Sequence, residues 1–241
     1  MKVIVIIPAA GLGTRMAGAA KDSSKPAHSK QFTELGGIPI ILHTLWKFAS
    51  MPEVDEIYVA LRKTEQEHFR PRLEQEKLPK PVRLVEGGEH RQESVANAIA
   101  EVNASDDDIV LVHDAVRPFV TEEIIREVIE QVKKTGAAIA AVPAVDTIKQ
   151  VERTSEGAVI TTTVPRERAV LAQTPQGFRF GVLKKAFDEA TADGFSGTDE
   201  ASLIERMGGE VSVVMGSPRN IKITTPGDLE LAEFYIQTKK A

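Results

Sequence analysis

The chain has 241 residues, with 30 Lys and Arg against 35 Asp and Glu, a formal charge of −5. Hydrophobic residues make up 42% and charged residues 27%, the balance of a globular chain long enough to bury a core without staples. The lack of cysteine excludes a disulfide framework, Cys-ligated zinc, an iron–sulfur cluster and a thiol nucleophile, and a mildly acidic chain must hold any anionic ligand in a local basic pocket.

In chain order, Val3–Ile7 is a continuous β-branched run and reads as a strand buried on both faces. Pro39–Ala49 has apolar residues at helical spacing, Ile57–Ala60 is a short strand, Thr64–Leu73 a charged helix and Val82–Val85 another strand. Ser94–Val102 reads as a helix and Ile109–Val112 as a buried strand. Thr121–Lys134 is a helix with Thr121 as N-cap, acids in its first turn, lysines in its last and Gly136 after it. Ala137–Val142 is a further strand. The alternation predicts a doubly wound α/β sheet with helices on both faces.

At Pro143 the alternation stops. Thr147–Val151 and Val159–Val164 are rich in Val, Ile and Thr, with turn residues from Arg153 to Gly157 between them. They predict a β-hairpin arm at about 144–168 inserted into a single domain spanning 1–241. A hairpin is marginal alone, so this one is expected to pack on something, such as a second subunit. A strand at Val170–Gln173, helices at Leu183–Ala190 and Glu200–Met207 and a strand at Val211–Met215 follow. The last helix, Pro226–Ile236, has Thr225 as N-cap, Pro226 at its first position and Asp228 at its third.

The first strand runs into Pro8-Ala9-Ala10-Gly11-Leu12-Gly13-Thr14-Arg15-Met16. Small residues at Ala9, Ala10, Gly11 and Gly13 let backbone N–H groups approach phosphate oxygens. Met16 stands where a dinucleotide fingerprint has its third glycine, and no G-K-[ST] follows. On glycine spacing alone, a tight strand-to-helix turn is an equal reading.

Arg15 is followed by Lys30-Gln31-Phe32 and Gly37-Ile38-Pro39-Ile40, then by Val112-His113-Asp114-Ala115-Val116-Arg117-Pro118. Asp146-Thr147-Ile148-Lys149, Thr174-Pro175-Gln176, Thr198-Asp199-Glu200-Ala201-Ser202 and Asn220-Ile221-Lys222-Ile223-Thr224 come in order after these. Together the motifs resemble the sugar-phosphate nucleotidyltransferases, Rossmann-like proteins, and within them the 2-C-methyl-D-erythritol 4-phosphate cytidylyltransferase family. The likeness runs from Val3 to the last helix. The stretch from Ala17 to Ser29 is longer than the family pattern, and Ser29 replaces a proline. Lys25 or Lys30 could therefore meet the triphosphate, and the register of Gln31-Phe32 favours Lys30.

The resemblance implies transfer of CMP from CTP to methylerythritol phosphate, with release of pyrophosphate and with Mg²⁺ or another divalent cation bound to the triphosphate. It implies Pro8, Ala9, Ala10, Gly11, Gly13, Gly88, Glu89, Ser94, Asp114 and Ala115 at CTP, with Gly88, Glu89 and Ser94 facing cytosine. Asp114, Arg117, Thr147, Arg166, Thr198 and Lys222 fall to the polyol phosphate, and Arg15, Lys30, Arg166 and Lys222 to the reacting phosphates. It also implies a homodimer in which the arm brings Thr147 and Arg166 to the partner's site. Plainer readings stand beside these: Glu93 or Ser94 closing a helix N-terminus, Asp114 and Arg117 as a structural ion pair, Asp199 as a helix cap, and Lys222 as a solvated lysine.

A ribitol 5-phosphate cytidylyltransferase shares most of these motifs and is the nearest alternative. A non-catalytic nucleotide-binding regulator would be expected to lose Arg15, Lys30 or Lys222. The five histidines form no metal-ligand spacing, and no G-x-S-x-G elbow is present. No apolar run reaches the ~18 residues of a membrane helix, and the N-terminus is too short for a signal peptide. A cytoplasmic protein with no membrane or nucleic-acid partner is expected.

Overall fold

A computed structural model describes residues 1–11 and 29–238. Seven strands form the central sheet, in the order β11-β7-β10-β6-β1-β4-β5. These are β1 (Val3–Pro8), β4 (Glu56–Leu61), β5 (Val82–Glu86), β6 (Ile109–Val112), β7 (Ala137–Pro143), β10 (Val170–Arg179) and β11 (Ser212–Met215). Two-residue strands β2 (Glu34–Leu35) and β3 (Ile38–Pro39) pair with each other. β8 (Ile148–Thr154) and β9 (Gly157–Val164) form the arm. The helices are α1 (Ile40–Ala49), α2 (Lys63–Gln75), α3 (Arg91–Glu101), α4 (Glu122–Thr135), α5 (Phe180–Ala192), α6 (Glu200–Arg206) and α7 (Pro226–Thr238).

The pleat divides each central strand between two cores. Val3, Val5 and Ile7 of β1, with Ile109 and Leu111 of β6, face α1 and α4. Ile4 and Ile6, with Val110 and Val112, face α3, α5 and α6. This double burial explains why the strands read as unbroken apolar runs. A smaller cluster of Leu35, Ile40, Val116, Ile223 and Ala232 ties α7 to the rest.

Most predicted elements are present with ends moved by one to three residues. Thr121 caps α4 by accepting from the Ile124 N–H at 3.4 Å, and Gly136 ends it at φ +85°, a conformation that costs glycine little. Asp228 accepts from the N–H groups of Thr224 and Thr225, each at 2.8 Å, closing the start of α7. α3 begins at Arg91, three residues before the expected start, which places Gly87–His90 directly ahead of a helix N-terminus.

One larger difference has a physical cause. β10 does not stop at Gln173 but continues to Arg179, antiparallel to both β6 and β7. Its pairing register with β7 shifts between Ala172 and Gln176, around Pro175, where the polar Thr174-Pro175-Gln176 hides a central strand. Asn220–Thr224 is an irregular segment, held by the Ile223 N–H donating to Val116 O at 2.9 Å and by Asn220 and Ile223, both fully buried.

The arm forms with a shorter turn, Ser155-Glu156. Its two strands pair only with each other, and Val151, Val159 and Ile160 are about half exposed or more. β1 leads outward to β4 and β5, and the chain then returns to β6 on the other flank of β1. Open α/β sheets bind ligands beyond the strand carboxyl ends at such a reversal.

Candidate active site

Two cavities open where β1 and β6 end. The first is walled by Pro8, Ala9, Ala10, Gly11, Lys30, Gln31, Ser94, Ala115 and Val116. The second is walled by Arg117, Ala172, Gln173, Thr174, Gln176, Thr198 and Asp199. Arg91, Asp114 and Lys222 belong to both.

The first cavity owes its shape to side chains that hold the loop after β1 from behind. The Ala9 N–H donates to Ala60 O at 2.8 Å. Gln31, fully buried, donates its amide to Ala9 O, and Arg62 donates Nε–H to Ala10 O at 2.8 Å. With these carbonyls engaged at the back, the small side chains are left facing the cavity. The adjoining turn is equally tight. A Cβ added at Gly87 would lie 2.4 Å from Ala10 Cβ, so only glycine lets the two loops approach this closely.

Ser94 lines the cavity and also accepts from the Gly88 N–H at 3.1 Å. The Glu93 carboxylate accepts from the N–H groups of Glu89 at 2.8 Å and His90 at 3.3 Å, so the expected closure of the helix N-terminus is present. Gly88 and Glu89 flank this cavity without forming its wall, and Glu89 is exposed.

Between the cavities, the buried Asp114 carboxylate meets three cations. Arg91 Nε lies 3.2 Å from Oδ1, while Lys222 Nζ at 2.8 Å and Arg117 Nε at 3.3 Å approach Oδ2. Burial opposes ionisation of Asp114, but Arg91, Lys222 and Arg117 outweigh it and hold the carboxyl far below the usual carboxylate range. Arg91 is held in turn by Glu200, its NH1 at 2.6 Å and NH2 at 3.0 Å from the two carboxylate oxygens. Burial raises the Glu200 carboxyl, and Arg91 works against that rise. Three cations against two carboxylates leave one positive charge in excess, which suits a site that collects phosphates.

The loop carrying Asp114 is braced by a buried relay. The Asp114 N–H donates to Thr174 Oγ1 at 3.1 Å, and Thr174 Oγ1 lies 3.1 Å from His113 Nδ1. His113 Nε2 lies 3.0 Å from Arg117 O. With the threonine hydroxyl donating onward, the network assigns the imidazole proton to Nε2. Burial pushes His113 down to about 4, so it is neutral at neutral pH. Below the second cavity, Gln176 donates to Asp199 Oδ2 at 2.8 Å and accepts from the Ala201 N–H at 3.1 Å. Asp199 caps α6 by accepting from the Ser202 N–H at 3.0 Å.

The structure thus brings together Pro8, Ala9, Ala10, Gly11, Lys30, Ser94, Asp114, Ala115, Arg117, Thr198 and Lys222. Gly13, Arg15 and Lys25 lie outside the described residues. Thr147 and Arg166 sit exposed at the base of the arm and line neither cavity, with Arg166 donating to Val145 O at 3.3 Å. Arg91, Glu200, Gln31 and Thr174 carry much of the geometry although sequence reading gave them no role. Gln31, Thr174 and Glu200 stand inside the ordered motifs and Arg91 follows Gly87-Gly88, the local signal that marks them. Among the described residues, no three of His, Asp and Glu are gathered to hold a metal ion, and no helix is long and apolar enough to cross a membrane.

The sequence profile of the family described as IspD, 2-C-methyl-D-erythritol 4-phosphate cytidylyltransferase, matches residues 3–238. The chain is similar to the protein of that name from Acidobacterium capsulatum, with 56% identity over 241 residues and the whole of both chains covered. It is also similar to the crystal structure of the 2-C-methyl-D-erythritol 4-phosphate cytidylyltransferase of Francisella tularensis, with 38% identity, a TM-score of 0.80 and 97% and 99% of the chains covered. A third likeness is to the crystal structure of the 4-diphosphocytidyl-2C-methyl-D-erythritol synthase of Anaerococcus prevotii, with 30% identity, a TM-score of 0.81 and 98% of each chain covered.

Proposed function

The chain belongs to the family of 2-C-methyl-D-erythritol 4-phosphate cytidylyltransferases and transfers a cytidylyl group from CTP to that polyol phosphate on the non-mevalonate route to isoprenoids, and on this premise we propose how its residues divide the work. The observation that carries the assignment is the junction of the two cavities at Asp114, where Arg91, Arg117 and Lys222 converge.

CTP occupies the first cavity. Its triphosphate lies along Pro8–Gly11, and its base lies toward Gly88, Glu89 and Ser94. Asp114 and Ala115 border the ribose. The polyol phosphate occupies the second cavity, against Arg117, Thr198 and Lys222. The reaction needs no strong base, because the attacking phosphate oxygen is already an anion. It attacks the α-phosphorus, and the bond to the bridging oxygen of pyrophosphate breaks. The difficulty is to bring anions together while charge builds on the α-phosphoryl oxygens. Lys30 and Lys222 supply that stabilisation as positive charge at the cavity walls, with Arg15 and, from a partner's arm, Arg166 assigned to the same task.

Asp114 is the carboxylate shared by both cavities, but Arg91, Lys222 and Arg117 already engage its oxygens, so Mg²⁺ or another divalent cation would be held chiefly by triphosphate oxygens and water, with Asp114 beside it. When bound, the cation would neutralise part of the triphosphate charge. A closed cage of protein ligands is not what this donor set suits.

The arm supports a homodimer: an isolated hairpin with exposed Val151, Val159 and Ile160 needs a surface to cover it. In such a dimer Thr147 and Arg166 would complete the partner's second cavity. The enzyme works in the cytoplasm, where nucleoside triphosphates are held.

Pyrophosphate release with CTP and Mg²⁺, run in parallel with methylerythritol 4-phosphate and ribitol 5-phosphate, tests the assignment. Preference for the first is expected. Preference for ribitol 5-phosphate would keep the CTP site and change the acceptor.

A further inference from the structure

Arg91 and Glu200 stand at matching places in the fold. Arg91 is the first residue of α3, directly after the Gly87–His90 turn that borders the nucleotide cavity. Glu200 is the first residue of α6, directly after Thr198 and Asp199, which wall the other cavity. Glu200 is 1% exposed and lines neither cavity. Its carboxylate takes both terminal nitrogens of Arg91, leaving Nε–H for Asp114 Oδ1. A second clamp ties the start of α3 to the loop just ahead of α6. Gln92 donates to Phe195 O at 3.0 Å and accepts from the Gly197 N–H at 2.8 Å.

We infer that Glu200 is a positioning residue for cytidylyl transfer: it fixes the guanidinium of Arg91, and so fixes how Asp114 and Lys222 are presented between the two substrates. The inference rests on the site reading above. Without the Glu200 charge, the Arg91 fork is free to turn onto both oxygens of Asp114, where it competes with Lys222 for Oδ2. The first cavity keeps its walls at Pro8–Gly11 and Ser94 in that event. The cost therefore falls on alignment of the reacting groups more than on nucleotide binding.

The test compares Glu200→Gln with the double variant Arg91→Met/Glu200→Leu, which replaces the buried pair with apolar side chains of similar size. A buried pair that serves only the fold is often replaceable in this way. For Glu200→Gln, kcat is expected to fall about 10- to 100-fold, with KM for CTP changed by less than about threefold and the CTP-titrated site concentration unchanged. The double variant is expected to fold and to stay as slow. Either of two results would overturn the inference: kcat within about threefold of the parent in folded Glu200→Gln, or recovery of activity in the double variant. A substrate-free reading separates this from the functional assignment. The Arg91 Nε–H proton signal is expected to exchange slowly in the parent and to be lost in Glu200→Gln. A parent that makes no product would refute the assignment alone, whereas an Nε–H signal unchanged by Glu200→Gln would refute the positioning role.

Discussion

Lys222 Nζ stands 2.8 Å from Asp114 Oδ2, joining the C-terminal segment to the end of β6 across 108 positions of sequence. The lysine is a third exposed, so it can exchange this partner for a substrate phosphate without leaving the site. Lys222→Met should lower kcat about 100- to 1,000-fold, the scale of removing one fixed donor at a developing charge. Steady-state rates at saturating CTP check this, with circular dichroism to confirm the fold.

Lys30 borders the first cavity, where CTP is proposed to bind, and the Gln31-Phe32 that follow it set the register that favours it over Lys25. Lys30→Ala should therefore slow turnover by two orders of magnitude or more, and Lys25→Ala by much less. The opposite ranking in parallel assays would move the triphosphate contact to Lys25.

The Gly87 turn leaves no room for a side chain, since its Cβ would meet Ala10 Cβ at 2.4 Å and Ser94 Oγ at 3.2 Å. Gly87→Ala should raise KM for CTP at least tenfold and cost about 1–3 kcal/mol of stability. Gly227→Ala is the control, because its nearest neighbour there would be Thr225 Oγ1 at 3.9 Å. Denaturant melts and CTP titrations of both variants decide it.

Burial lowers His113 from an ordinary value of 6.5 to about 4. The unfolded chain then binds a proton that the folded chain refuses as pH falls through this window. Stability from this group is full above about pH 6.5 and is lost progressively toward pH 4, by about 3 kcal/mol in all. Urea unfolding at pH 7 and pH 4.5 should show a smaller pH-dependent loss in His113→Gln than in the parent.

The proposed dimer, in which the arm completes the partner's site, is open to a complementation test. Mixing Arg166→Ala with Lys30→Ala subunits leaves one intact site in each mixed dimer. A random mixture should recover up to roughly a quarter of parental activity, as two-fold exchange requires. No recovery in verified mixed dimers would place the whole site within one chain.

The reach of sequence reading followed the range of the forces involved. β6 and α4 were legible because their signals are local: an apolar run buried on both faces in one, a threonine cap and a C-terminal glycine in the other. The Gly11, Asp114 and Lys222 segments were legible as motifs in order. Arg91 was not, because its partner Glu200 is 109 residues away and no local pattern marks an arginine for a distant carboxylate. β10 was cut short for a related reason. Thr174 and Gln176 are polar, yet each is buried and satisfied by groups from other elements, which only the assembled fold supplies.

β10 lies between β6 and β7 in the sheet but follows both in the chain, and it bears on how the molecule comes to be made. Until residues 170–179 have been synthesised and inserted, β6 and β7 each present an open edge, and Asp114 lacks the threonine that receives its N–H. The nascent chain must keep the open edge of β6 and the still unpaired β7 apart from other strands before a late antiparallel segment joins them. Such a step is slowed by its long-range contacts and is exposed to mispairing while it waits.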